Sequence, residues 1–265
     1  MQRGFGDTYL MSDSVDLRGL LASWPFDPEN DARFARGDDG RELLQVRTPL
    51  GIEQYELEGR PDGLRPHGKE SALEFQLQRL AKARAAGQEA AFELGGQECA
   101  ELFHEGTQYY CRYFRLFQLK DWPRTVRDTS RNLKLFDFVH HHAERAEDQN
   151  HLERWRPYIV RMNAAAAAML ALDKGTHDKA LDLVNAAASR VEELEELDDE
   201  TFQFERERSL NALRELARQI QKHKPVSQLE RLERQLHRAI ESQAFERAAG
   251  LRDRIRELKN SQAPK

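Results

Sequence analysis

Residues 226–259 read VSQLERLERQLHRAIESQAFERAAGLRDRIRELK, and this stretch decides the fold class. Leu229, Leu232, Leu236, Ala239 and Ile240 recur at steps of three and four, which places them on one helical stripe. Ser242-Gln243-Ala244 breaks the pattern, and Ala248, Leu251, Ile255 and Leu258 open a second stripe. Each helix spans about four turns or fewer and is marginal alone in water. Folded as a hairpin, the two cover one another only in part. Pairing with a second hairpin buries the remaining apolar edge as a four-helix bundle. The segment is therefore built to associate.

Upstream, His223-Lys224-Pro225 reads as the sharpest boundary, because proline turns the preceding residue away from helix. From Lys69 to that point the chain reads as helical. Leu73, Leu77, Leu80 and Ala81 share a face, and Gly95-Gly96 interrupts. Cys99, Leu102, Phe103, Gly106, Tyr110, Tyr113, Phe114 and Phe117 then recur at helical steps. Leu119–Pro123 closes that helix and opens another that runs to about His141, with Pro123 suited to a first turn. A further helix covers about 153–172, and Asp173–His177 turns the chain into a helix expected to reach about Leu197. The two joints, 116–122 and 169–175, give the body the form of an irregular, tetratricopeptide-like array of helix hairpins, with Trp122 and Ala180 expected inside the joints. Glu192–Glu207 carries nine acids against the single base Arg206 and reads as a solvated helix face, with a docking site for a basic partner as the functional alternative.

The N-terminal segment differs in kind. Met1–Asp38 reads as irregular, with one short apolar cluster (Leu17, Leu20, Leu21, Trp24) able to form a helix that docks on something larger. Leu43–Arg47 and Ile52–Glu58 alternate with period two around Thr48-Pro49-Leu50-Gly51, which predicts a β-hairpin. A lone hairpin is marginal and must pack on helices or on a copy of itself. Gly59–Gly63 reads as a tight loop, with an anion-binding nest around Arg60 as the alternative. The expected fold is mainly α, in three parts: residues 1–68 with the β-hairpin, a helical body over 69–222, and a helical hairpin over 226–260.

The string from Ala239 to Leu258 resembles the UVR motif, which closes the excision-repair subunit UvrB, recurs in UvrC and occurs in some Clp-protease and kinase-adaptor proteins. Its core, Phe-Glu-x-Ala-Ala-x-x-Arg-Asp-x-Ile, stands here as Phe245, Glu246, Ala248, Ala249, Arg252, Asp253 and Ile255. The resemblance implies a helical hairpin that pairs with another UVR hairpin. Ala244 departs from the motif, where a small polar residue is common, and leaves Ser242 as a substitute cap for the second helix. Leu44–Arg47, Leu50-Gly51, Glu56–Gly63 and Pro66–Gly68 resemble a stretch shared by uncharacterised bacterial proteins that carry the same terminal motif. That likeness implies no reaction.

The partner-binding residues expected in the hairpin are Leu232, Leu236, Phe245, Glu246, Ala248, Ala249, Arg252, Asp253, Ile255 and Leu258. Leu232, Leu236, Ile255 and Leu258 supply the pairing surface or the seam beneath it, and Phe245 plugs the turn. Arg252 clamps a carboxylate such as Glu246 or one on a partner, and Asp253 pairs with Arg256 or Arg231.

Composition narrows the function classes. In 265 residues, apolar types make up 39% and charged types 33%, which gives a core and wide solvated helix faces. A net charge of −5 argues against a globally basic nucleic-acid binder. The first 25 residues carry Arg3, Asp7, Asp13 and Asp16 without an apolar core, so no signal peptide is expected, and the longest apolar run, Ala164–Leu172, is half a membrane span. Two cysteines, Cys99 and Cys111, fit a reducing compartment and core packing, and a cytoplasmic location without membrane contact is expected.

No nucleotide or hydrolase fingerprint is present, and no enzyme activity is expected. His140, His141, His142 and His151 invite a metal reading, but successive helical residues point about 100° apart, so no metal or cofactor is expected. Tyr109, Tyr110, Tyr113, Phe114 and Phe117 interleave with Arg112 and Arg115, a pattern that stacks single-stranded nucleic acid in some proteins and is more often core with basic flanks. The expected function is a non-enzymatic adaptor that docks a protein, another UVR chain or a second copy, through the hairpin. A repair accessory of the UvrB/UvrC system is the alternative, and direct nucleic-acid binding is not favoured.

Overall fold

A computed structural model describes residues 16–225 and 228–262. The chain divides into two units, 1–217 and 218–265. Val226, where the sequence opens the terminal hairpin, lies outside the described residues, as do most of the N-terminal residues weighed for a signal peptide.

The first unit begins with a short helix, α1 (Arg18–Ser23), and a sheet of three antiparallel strands, β1 (Ala32–Arg36), β2 (Glu42–Thr48) and β3 (Gly51–Glu56), in the order β1-β2-β3. The expected hairpin is β2–β3, in register from Leu43 opposite Glu56 to Thr48 opposite Gly51. The region expected to be irregular supplies a third strand, with Ala32 opposite Val46 and Arg36 opposite Glu42. Asp39-Gly40 turns that first hairpin, with Gly40 in the left-handed region (φ 81°) that glycine adopts at little cost. Arg33 and Arg36 flank a single bulky apolar residue, Phe34, so the strand carries little period-two pattern of its own. The central strand is buried on both faces at Leu43, Leu44, Val46 and Arg47. Leu44 packs with Leu57 and Leu116, so the sheet leans on a helix rather than on a second sheet.

The body follows as α2 (Ala72–Ala85), α3 (Gly96–Gln118), α4 (Trp122–His142), α5 (Ala146–His151), α6 (Arg156–Asp173), α7 (His177–Glu192) and α8 (Glu200–His223). Helix α3 packs on α4, α4 on α6, and α6 on α7. The joints explain the turns. Helix α3 ends with the Asp121 N–H on the Leu116 carbonyl (2.9 Å) and the Lys120 N–H on the Phe117 carbonyl (3.1 Å), a Schellman stop with Lys120 at φ 60°. The Asp121 side chain then caps α4 by accepting from the Arg124 N–H (3.1 Å). Helix α6 ends the same way around Gly175, with Thr176 N–H on Ala171 and Gly175 N–H on Leu172. Trp122 and Ala180 are both buried, as expected of joint residues. Alanines 164, 166, 168 and 171 are buried on α6, and their small side chains suit its packing between two neighbours.

The acidic run departs from expectation. Helix α7 stops at Glu192, short of Leu197, where the Arg206 guanidinium takes the Glu192 carbonyl (2.7 Å), and the run is not one solvated face because Glu205 is buried.

Side-chain chemistry ties sheet to body. Arg112 and Asp128 are each 1% exposed and form a bidentate pair, Nε to Oδ2 at 2.6 Å and Nη2 to Oδ1 at 2.9 Å. The remaining Arg112 nitrogen donates to the Glu56 and Gly59 carbonyls at 2.7 and 2.9 Å. The paired charges are thus satisfied on all sides, which buried charges require. Glu105, fully buried, accepts from the Ala72 and Leu73 N–H groups at 2.7 and 3.1 Å, placing a carboxylate at the positive end of α2. Arg131 closes on the same carboxylate.

The second unit contains the end of α8 and the helices α9 (Gln228–Glu241) and α10 (Phe245–Gln262), which pack on each other.

Candidate docking hairpin

Leu232, Ala239, Ala248, Leu251 and Ile255 form the buried seam of the α9–α10 hairpin, with Leu236, Ala244 and Leu258 half-buried against it. The two sequence stripes therefore face each other. Leu232 and Ile255 lie in the seam and not on a free surface.

The turn is a second Schellman stop on a non-glycine residue. The Ala244 N–H bonds the Ala239 carbonyl (2.8 Å), the Gln243 N–H bonds the Ile240 carbonyl (3.0 Å), and Gln243 sits at φ 56°. Ala244 packs against the seam that contains Ala239, the apolar contact that accompanies this motif. Ser242 does not cap α10. Its hydroxyl donates back to the Arg238 and Ala239 carbonyls at 2.9 and 3.2 Å and so closes α9. The hydroxyl precedes the left-handed residue, and that reversal keeps it on the first helix.

Phe245 does not plug the turn. It is 70% exposed, and Ile240, on the other side of the link, is 46% exposed. A seam lined at this end by Ala239, Ala244 and Ala248 holds the helices too close to admit a ring. Truncating Phe245 therefore removes little folding energy.

Glu246, Ala249, Arg252 and Asp253 are exposed as well. Phe245, Ala249, Arg252 and Arg256 follow at steps of four, three and four, so they share one face about 110° round α10 from the seam. Asp253 reaches Arg256, with Nη1 3.8 Å from Oδ1, the i, i+3 partner expected for it. Arg252 forms no ion pair with Glu246 among the described residues, which leaves its guanidinium on the exposed face. The hairpin thus carries an exposed aromatic ring and an exposed arginine, residue types enriched at interfaces, and an exposed isoleucine, outside an apolar seam.

Residues 227–261 match the UvrB/uvrC motif. The match spans the hairpin to within one residue of the end of α10 and does not extend into α8. No curated protein and no solved structure matches the chain.

The other constellations resolve into structure. Arg60 is buried, with Nε 3.0 Å from Asp62 and 3.1 Å from Gln108 and Nη1 3.5 Å from Glu105, so the Gly59–Gly63 loop is a tight loop with its cation engaged. Tyr109, Arg112 and Tyr113 are core, and Tyr110 and Phe114 remain exposed. Burial pushes the Cys99 thiol up to about 11 and raises that of Cys111, so both favour the unreactive form. His141 bonds the Asp137 carbonyl, His142 lies against Phe92 and Phe138, and His151 stacks on Phe103 at 4.2 Å. Among the described residues no group of three or more His, Cys, Asp or Glu is placed to hold a metal, and no helix is long and apolar enough to cross a membrane.

Proposed function

We propose that this chain is a non-enzymatic, cytoplasmic adaptor that docks a protein partner through its UVR hairpin, with a tetratricopeptide-like body as the scaffold. The observation that carries the reading is Phe245, an aromatic ring 70% exposed at the closed end of a two-helix unit whose seam has no room for it. A ring in water on the same face of α10 as Ala249, with Ile240 also exposed, gains from a cover, and a second UVR hairpin, on another protein or another copy of this chain, brings the complementary apolar edge. Arg252, unpaired with Glu246, is the group on that face able to meet a partner carboxylate.

Full-length protein tests this. In sedimentation velocity and in pull-downs on UVR-bearing proteins, Phe245→Ala is expected to weaken association by tenfold or more. Retained association with the ring gone means that another surface docks.

The alternative, a repair accessory acting with a UvrB/UvrC-type system, draws support from the motif itself and from the eight bases against six acids in 226–259. Binding to single-stranded DNA that falls steeply with salt and weakens on Arg252→Ala favours it.

A further inference from the structure

The arginines of the terminal hairpin fall on two flanks, and the flanks differ in what accompanies them. On α10, Arg247 and Arg254 lie roughly 60–80° round from the seam, in the sense opposite to Phe245 and Arg252. On α9, Arg231 and Arg238 lie about 120° round from the seam, in the sense opposite to Ile240 and Glu233. The two helices run antiparallel through a short turn, which brings flanks of the same rotational sense onto one face of the hairpin. One face therefore presents Phe245, Ile240 and Arg252, with Glu233. The other presents Arg231, Arg238, Arg247 and Arg254, all exposed, with Gln235 on its α9 side.

Within the hairpin this second face is not neutralised. Among the described residues none of its four guanidinium groups forms an ion pair, whereas Arg256 reaches Asp253 and His237 reaches Glu241 elsewhere on the two helices. Glu241, Glu246 and Asp253 fall on the backs of the helices, and Glu257 is the one acid at the rim of the face. Arg231 and Arg238 stand seven residues apart, as do Arg247 and Arg254, so each pair spans about 10 Å along its helix. Four positive groups thus form a compact patch across two helices. The net charge of −5 for the whole chain hides this segregation, because a local field depends on where the charges stand.

Two kinds of partner neutralise such a face, an acidic protein surface and a phosphodiester backbone. Protein interfaces centre on apolar anchors inside a polar rim. This face has no such centre, because the exposed apolar side chains of the hairpin, Phe245 and Ile240, lie on the opposite one. Arginine forks assisted by an amide are the donor set that grips phosphate oxygens. The face also holds no aromatic ring on which a base can stack, so it contacts backbone and not bases. We propose that this face binds the phosphodiester backbone of nucleic acid, without reading its sequence, through Arg231, Arg238, Arg247 and Arg254. The Phe245 face stays free for a protein partner. The site excludes Arg252 and rests on neither the adaptor nor the repair reading.

Fluorescence anisotropy on the full chain tests this, with a labelled single-stranded oligonucleotide of mixed sequence, its duplex, and polyglutamate as the acidic-protein competitor. At least one of the two nucleic acids is expected to bind saturably at about 50 mM salt, and the logarithm of its affinity to fall against that of salt with a slope of about −3 for the single strand or about −3.6 for the duplex, as four neutralised phosphates require. Arg238→Gln combined with Arg247→Gln is expected to weaken binding tenfold or more and to reduce the slope by about 1.5–2, with the thermal midpoint unchanged because both positions are exposed and unpaired. Arg252→Gln combined with Arg256→Gln removes the same charge from the opposite flank and is expected to change affinity less than threefold. Phe245→Ala, which tests the docking reading, is expected to leave oligonucleotide affinity unchanged. The proposal is overturned if neither nucleic acid binds at low salt, if the Arg252/Arg256 pair weakens binding as much as the Arg238/Arg247 pair, if two unrelated sequences differ tenfold in affinity, or if polyglutamate at equal charge concentration displaces the oligonucleotide.

Discussion

Two helix pairs in this chain turn by the same device and are held by different interiors. Helices α3 and α4 meet through Lys120 at φ 60°, and α9 and α10 meet through Gln243 at φ 56°. Around the first joint the core contains the Arg112–Asp128 pair, the Arg112 bonds to β3 and the following loop, and the Asp121 cap. The second is held by a seam of Leu, Ala and Ile. Polar pairs demand one geometry, because a small shift leaves a buried charge unmet. An apolar seam tolerates sliding and exchange of partners. The body is therefore held to one geometry, and the hairpin leaves Phe245 and Ile240 exposed outside its apolar seam.

The largest expected effect breaks this contrast from the body side. Arg112→Ala takes the bidentate partner from buried Asp128, which keeps only the Arg127 Nε donor, and removes the Arg112 donor from the Glu56 and Gly59 carbonyls, and is expected to cost about 3–5 kcal/mol in denaturant unfolding. A cost below about 1 kcal/mol means the pair does not anchor the sheet. A smaller loss is expected from Ala180→Leu, which overpacks a fully buried joint by about 1–3 kcal/mol, read as a lower thermal midpoint. Should that variant keep its midpoint and lose its partner, Ala180 belongs to a contact surface.

On the hairpin side the effects shrink and one changes sign. Gln243→Gly relieves a left-handed residue and is expected to stabilise the hairpin by about 0.5–1 kcal/mol, seen as slower amide exchange in α9 and α10. Phe245→Ala is expected to cost less than about 0.5 kcal/mol of stability, in contrast to its effect on association. A large stability loss would place the ring inside the fold.

The smallest effect is acid sensitivity of the body. Burial lowers the pKa of His142 and of His151 below the ordinary 6.5, with the neighbouring His141 adding to the first and Arg154 to the second, while Glu89 and Asp148 oppose. The folded state then favours the neutral rings. Stability is full above pH 6.5 and falls as pH drops below it toward the lowered folded values, because the unfolded chain binds more protons there. His151→Phe, which preserves stacking on Phe103, is expected to flatten the decline in midpoint between pH 6.5 and 5.

What was legible in the chain was what repeats along it. Steps of three and four gave the helices, their order and the two facing stripes of the hairpin. Period-two alternation gave β2 and β3. The run from Phe245 to Ile255 gave the UVR hairpin, because motif residues stand at fixed spacing. These are local properties, set by backbone geometry and by which side chains avoid water. What only the tertiary structure decided depends on distant residues. Strand β1 is held by its register on β2, since Arg33 and Arg36 give it little pattern of its own. Arg112 looks like a basic flank until Asp128, sixteen positions away, meets it. Phe245 looks like core until the alanines around Ala244 close the space it would fill. Glu205, in a run of acids that reads as solvated, is buried because α8 sets it against Arg161 of α6. Burial is fixed by packing between elements far apart in the chain, and no local periodicity carries that information.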